Sequence, residues 1–312
     1  MKFGGLMLHH FHDAFHTKGQ GSISADDFEN ILVSLGVERF LTPDEWSSSL
    51  KNNSFRGNEL CITFDDNLLC QYDVALPILE KYGLKAYFFI YTSPLTGVKE
   101  KLEIYRYFRS AYFTNINDFY EAFYEALQKS PYAFAMNEVT PSDYLIQFSF
   151  YSHDDRRFRF LRDQILGVSK FNEIMDKILH DFQVEVEQIS KKLWMSKEHL
   201  VDLVNRGHTL GLHSHTHPTR FESLTLEQQR QEYSVNLKIL SDITGDKITA
   251  CAHPCNSYNH HTFEVLKSLG IKLAFRSNLA KMPYSNFELP RQDHVLVAPE
   301  KHPDARRSRS RD

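Results

Sequence analysis

The chain has 312 residues, and 36 Lys and Arg against 40 Asp and Glu give a formal net charge of −4. Five basic and two acidic residues lie from Lys301 onward, which leaves −7 on the rest; an acidic body argues against phosphate backbones, so no nucleic-acid partner is expected. The length suits one large α/β domain with an insertion, or two modest domains, and no apolar run approaches the ~18 residues of a membrane span.

The opening GGLMLHHF reads as a short strand, with too brief an apolar run for an export signal. Residues 25–35 have helical spacing, with Ser24 as N-cap. Residues 58–64 (NELCITF) read as a buried strand that ends on Asp65 and Asp66. Residues 73–82 read as a helix stopped by Gly83, and 84–91 (LKAYFFIY) as a second strand. This order argues for parallel βαβ units. From 95 to 190 the chain is helical, aromatic and charged, an inserted subdomain whose aromatics form its own core rather than a cofactor box. Beyond it, 196–206 read as a capped helix and 208–212 as a strand. A long helix (225–243), a strand (248–252), a helix (262–269) and a strand (271–275) follow. The expected organisation is a discontinuous barrel over 1–94 and 191–298, a helical insertion over 95–190, and a disordered basic tail over 299–312. Cys61, Cys70, Cys251 and Cys255 make no dense framework and read as reduced thiols, which with the missing export signal points to the cytoplasm.

Two segments carry chemistry. ITFDDN (62–67) is a buried strand ending in adjacent carboxylates, which is costly unless something binds them. The loops after parallel strands are where α/β sites gather, and adjacent residues at a strand end can point in different directions. The plain alternative is a helix N-cap pair. LGLHSHTHP (210–218) places His213, His215 and His217 within five residues of a strand end. Neutral imidazole is the commonest transition-metal ligand, and the alternative is a solvated histidine cluster. No His-Glu-x-x-His pattern is present. Together the segments offer a carboxylate and two or three imidazoles for a divalent ion, and a second carboxylate as general base.

The pair TFDDN and HSHTH, in this order, resembles the polysaccharide deacetylase (NodB-homology) family, whose signature is TFDDG followed by His-Ser/Thr-x-x-His. LMLHHFHD resembles the family's opening strand, SKEHLVDLVNRGHTLGLHSHTHP its approach to the metal loop, and LSDITGDKITACAHPCNSYN its next stretch. The resemblance covers roughly residues 5–95 and 190–295. It implies a distorted (β/α) barrel and metal-dependent hydrolysis of an N-acetyl group on a sugar. By position Asp65 matches the catalytic base, and Asp66, His213 and His217 match the metal ligands. Ser214 would support the loop. His215 falls on a variable position, with a ligand role as its rival. The implied ion is zinc, with Co2+, Ni2+ or Mn2+ as alternatives.

The sequence also departs from that pattern. Asn67 stands for the usual glycine, a mild change because Asn tolerates left-handed backbone. Ala252 stands where the family carries the arginine that holds the base; Arg276 or Arg291 could replace it, with Arg291 favoured. The family's tryptophan motif is not visible. The proton-donating histidine aligns loosely with His294, beside Asp293. His9 or His10 could line the site, and His253 could approach the metal loop. A backbone N–H near Tyr258 is the candidate oxyanion donor. The expected function is deacetylation of an amino sugar or sugar conjugate inside the cell, in surface-glycan biosynthesis, with the insertion as a lid or a homo-oligomer contact. The alternatives are another metal-dependent amidohydrolase or an inactive carbohydrate-binding protein on the same fold.

Overall fold

The computed structural model describes residues 4–146, 151–279 and 285–297. The tail expected from 299 lies outside them. Contacts divide the chain into two compact units, one of residues 1–16, 21–99 and 193–312, the other of 17–20 and 100–192. The strands are β1 (Gly5–Leu8), β2 (Cys61–Asp65), β3 (Ala86–Ile90), β4 (Thr209–Leu212), β5 (Ala250–Ala252), β6 (Leu273–Phe275) and β7 (Arg291–Asp293). The α-helices are α1 (Ala25–Leu35), α2 (Pro43–Asn52), α3 (Leu76–Lys81), α4 (Lys101–Ala111), α5 (Ile116–Gln128), α6 (His153–Phe160), α7 (Gly167–Asp181), α8 (Val186–Ser190), α9 (Lys197–Asn205), α10 (Leu226–Thr244) and α11 (His260–Ser268).

In the first unit the seven strands among the described residues are all parallel, in the order β6-β5-β4-β3-β2-β1-β7. Phe275 at the end of β6 bridges to Leu289, which runs on into β7, so the sheet curls into a nearly closed barrel. This is the distorted (β/α) barrel expected from the motifs. Strand β7 was not foreseen as a strand: it is three residues long, and its apolar signal is weak.

Period-two alternation decides what enters the barrel. Along β2, Cys61 joins the interior cluster with Tyr87 and Phe89 of β3 and Phe275 of β6. Thr63 and Asp65 continue that face, while Ile62 and Phe64 point outward, where Phe64 stacks on Phe88. Helix α2, which the sequence reading missed, puts Trp46 into the interior cluster, and the Tyr87 hydroxyl donates to the Pro43 carbonyl at 2.7 Å. Its signal was legible: Thr42 and Glu45 form a capping box, with Pro43 at the first helical position.

The helix expected over 73–82 is present, with its first part π-helical and its α-helical part confined to α3. Residues 71–75 form a π-turn before α3. Pro77 has no N–H to give the preceding turn, so the ladder widens there. The widened turn also places the fully buried Gln71, whose side-chain amide donates to the carbonyls of Asp65 (2.6 Å) and His9 (2.9 Å).

In the second unit, Phe119, Phe123, Phe158 and Phe171 pack mainly edge to face, all within 3 % exposure. Such pairs add about 0.5–1.5 kcal/mol each beyond area burial.

His208, at the start of the segment leading into β4, is held neutral in the core. Its Nδ1 accepts the Ala86 N–H at 3.2 Å. Burial, with Lys85 and Arg206 nearby, depresses its pKa to about 4. The unfolded chain therefore binds a proton below pH ~6.5 that the folded chain refuses until about pH 4, and stability falls as pH drops through that window. Urea unfolding at pH 7 and pH 4.5 should show a loss of up to ~3 kcal/mol from this group, and His208→Gln should flatten that dependence.

Candidate active site

The carboxyl ends of β2 and β4 bring together Asp65, Asp66, His213 and His217. Asp65 is the last interior residue of β2, and Asp66 follows it with φ 79°. His213 follows β4 directly, and His217 sits four residues on with φ 53°. Six of the nine non-glycine positive-φ residues among those described lie at these strand ends: Asp66, Asn67, Ser214, His217, Cys255 and Asn256. Strain of this kind persists only where surroundings over-determine it.

Here those surroundings are visible. The Ser214 hydroxyl accepts the His217 N–H at 3.1 Å. Asn236 on α10 accepts the His213 N–H at 3.0 Å and donates to the Ile90 carbonyl at 2.9 Å. Glu232, one turn earlier, accepts the N–H groups of His215 and Thr216, both at 2.8 Å. Gln71, Glu232 and Asn236 were missed in sequence, because each acts through a backbone group far along the chain.

Asp66, His213 and His217 present three ligand atoms within 4.8 Å of one another. Asp66 Oδ1 is 3.3 Å from Nε2 of each histidine, and it is buried with no hydrogen-bond partner. His213 donates from Nδ1 to the Ala252 carbonyl at 2.8 Å, which leaves its Nε2 lone pair facing the group. Donors held ~2.0–2.1 Å from a tetrahedral ion lie about 3.3–3.4 Å apart, so the donor set fits a zinc-like cation. Burial opposes the charged form of Asp66, yet His217 and His213 outweigh it and hold its pKa well below the usual carboxylate range. His215 is turned away: its Nδ1 pairs with the Thr92 hydroxyl at 3.0 Å.

Asp65 is 2 % exposed. Arg291 meets it with a two-pronged pair, Nη1 to Oδ1 at 2.6 Å and Nη2 to Oδ2 at 2.7 Å. Arg291 is fully buried, and it also donates to Thr63 Oγ1 (3.2 Å) and the Arg276 carbonyl (3.1 Å). Burial raises the Asp65 pKa, but the guanidinium and His213 prevail and lower it. Arg291 is thus the guanidinium that meets Asp65. Arg276 contributes a carbonyl to Arg291 rather than a guanidinium to Asp65.

His294 makes no hydrogen bond or ion pair with these carboxylates, though it is near enough to His9 for their charges to interact. It is 3 % exposed, with Nε2 against the Gly21 carbonyl at 3.1 Å and Nδ1 3.2 Å from Asp293. Burial lowers its pKa, only partly offset by Asp293. His9 faces the carboxylates instead: its Nε2 lies 3.8 Å from Asp65 Oδ2 and 4.0 Å from Asp66 Oδ2, with a quarter of the side chain exposed. His253 is buried behind, with Nε2 on the Phe287 carbonyl at 2.8 Å and its ring stacked on Tyr258.

Residues 170–274 match the family profile described as polysaccharide deacetylase. Several solved structures share the fold, among them the following three. The deacetylase PplD of Streptococcus pyogenes, solved in complex with acetate, aligns with TM-score 0.55 and 17% identity over 96% of this chain and 99% of that one. IcaB from Ammonifex degensii aligns with 0.52 and 17% over 89% and 84%. A de-N-acetylase from Aggregatibacter actinomycetemcomitans aligns with 0.53 and 13% over 93% of each. The chain has the polysaccharide deacetylase fold. No curated protein matches the sequence. The profile match covers the histidine loop but not the TFDD strand, so the deacetylase-type reading of Asp65 and Asp66 rests on motif order and on their geometry.

Two outcomes test the site. Asp66→Asn should lower zinc affinity by about 10²-fold or more, read by competition with a chromogenic chelator. Arg291→Leu leaves Asp65 buried and unpaired, and should cost about 3–5 kcal/mol in chemical unfolding.

Proposed function

We propose that this chain is a metal-dependent deacetylase that hydrolyses an N-acetyl group on an amino sugar or sugar conjugate, acting in the cytoplasm in surface-glycan biosynthesis. The observation that carries the reading is a single juxtaposition: an Asp66–His213–His217 donor group beside Asp65, whose carboxylate is clamped by Arg291. PplD, of the same fold, was solved with acetate, which supports an acetyl substrate.

Asp66, His213 and His217 would hold the ion. When bound, a zinc-like cation supplies Lewis-acid polarisation of the acyl carbonyl and a water acidic enough to react near neutral pH. Asp65 then acts as general base. Its Oδ2, 3.9 Å from His213 Nε2 and 3.8 Å from His9 Nε2, is the oxygen that would take a proton from water there. Arg291 keeps that carboxylate ionised and aimed. The leaving amine needs a proton, because an amine anion is a very poor leaving group. We assign that proton to His9 rather than to His294, since His9 is the partly exposed imidazole within reach of both carboxylates. A backbone N–H near Tyr258 is the candidate donor to the oxyanion.

The test is acetate release from free, nucleotide-linked and oligomeric N-acetyl sugars by metal-loaded protein. Asp65→Asn should abolish release while metal stays bound. His9→Gln should lower kcat by about 10²–10⁴-fold, and His294→Gln should lower it far less. Release from long chitin oligomers but not from small sugars would sink the small-substrate reading. Metal and sugar binding without release from any substrate would leave a binding protein on this fold.

A further inference from the structure

The helical unit carries an unusual charge arrangement. Arg109 on α4 is 7 % exposed, and its guanidinium makes no hydrogen bond or ion pair with any described residue. Arg106, one turn earlier, donates to the Gln20 carbonyl at 2.9 Å. Arg159 on α6 donates to the Gln20 side-chain oxygen at 3.2 Å, leaves its Nε without a partner, and lies over the Tyr151 ring at 4.0 Å. Asp155 is the carboxylate among these groups, and neutral donors already occupy it. Oδ1 accepts the Tyr120 hydroxyl. Oδ2 accepts the Ser152 N–H and hydroxyl, both at 3.1 Å, and the Gln20 amide at 3.2 Å. The three guanidinium groups are thus left without a carboxylate in direct contact among the described residues. Arg162 does not share this state, since Asp163 pairs with it at 2.5 and 2.8 Å.

A buried cation with no partner is among the costliest features a fold can hold. Burial, with Arg159 close by, depresses even the Arg109 pKa to about 10. Arg106, Arg159, Gln20 and Tyr151 are half-buried, so the cluster can be reached from solvent. Arginine forks match the oxygens of a phosphate in pairs, and this cluster offers several such edges around one charge excess.

We infer that Arg106, Arg109 and Arg159 form a phosphate-binding site in the helical unit. The ligand class is a phosphate group, free or as an ester. The site is independent of the metal group and does not rest on the deacetylase reading.

The test is thermal unfolding of the full chain titrated with inorganic phosphate at fixed ionic strength, with chloride as control. Wild type should show a saturable rise, about 5 °C at a hundredfold excess over Kd. Arg109→Gln should lose that rise, and in phosphate-free buffer it should melt no lower than wild type, because it removes an unpaired buried charge. No rise in wild type, or an equal rise in Arg109→Gln, overturns the proposal. Asp66→Asn should keep the response; its loss there would place phosphate at the metal group and also overturn it. If Arg109→Gln does not fold, calorimetric titration of Arg159→Lys decides: about tenfold weaker phosphate binding supports the site, and unchanged affinity refutes it. A parallel arm with uridine diphosphate separates the sources. Tighter binding than inorganic phosphate assigns the site to a phosphate ester, and equal binding assigns it to the free anion; either result requires the site.

Discussion

The pairing of Arg291 with Asp65 is the interaction on which the barrel and its site both depend. The two residues are 226 positions apart, one on the first inner strand to carry a motif and the other on the last strand to join the sheet. Both are buried, so neither charge tolerates loss of the other. Room for the guanidinium is built in. A side chain at Gly5 would meet the Arg291 stem at 2.9 Å, and one at Gly211 would meet the Phe89 ring at 2.5 Å. Phe89 and Phe275 flank the guanidinium at 5.6 and 5.9 Å. The arginine that clamps Asp65 enters from β7, whereas the resemblance to deacetylases would place one after β5. The constraint on the carboxylate is met from a different point of the ring, and Ala252 is free to be small.

A second constraint is backbone strain. The loops after β2 and β4 hold Asp66, Asn67, Ser214 and His217 at positive φ, a conformation that Asp and Asn tolerate and that costs Ser214 and His217 more. They are held by side chains that arrive from helices. Gln71 ties the ends of β1 and β2 together through the carbonyls of His9 and Asp65. Asn236 and Glu232, one turn apart on α10, fix the two ends of the histidine loop. The rigidity of the site therefore resides in the helices packed behind it as much as in its own loops.

This division explains what could be read from the sequence. TFDDN and HSHTHP were legible because each is local: a strand run followed by polar residues whose chemistry is expensive to bury unused. The strand–helix alternation was legible for the same reason. Between Arg291 and Arg276 the sequence supports only a preference, since the choice turns on which strand passes beside Asp65. His294 aligns with a motif, while its buried contact with the Gly21 carbonyl is a product of loop path that the sequence does not show. His9 was one of two adjacent histidines in a short strand, and only the pleat decides which one faces the carboxylates. The segment 17–20 joins the helical unit through Gln20, which composition gives no means to see.

The two adjacent aspartates show how one chain position separates two kinds of chemistry. Asp65 ends the run of inward-facing residues on β2, so the pleat delivers it to Arg291, and both its oxygens accept from the guanidinium. Asp66 comes one residue later, where the strand has ended and φ turns positive, so its Oδ1 swings to the two imidazoles and keeps its lone pairs unshared. Each carboxylate is held ionised, one by a permanent cation and the other by imidazoles. An imidazole can surrender its proton to leave a neutral ligand, whereas a guanidinium cannot. Asp66 therefore sits among groups able to become a metal's ligand set, and Asp65 sits beside a cation that keeps it ionised. Exchanging the partners would leave a carboxylate tied to a permanent charge where a ligand is needed, and the order Asp-Asp at this strand end follows from that asymmetry.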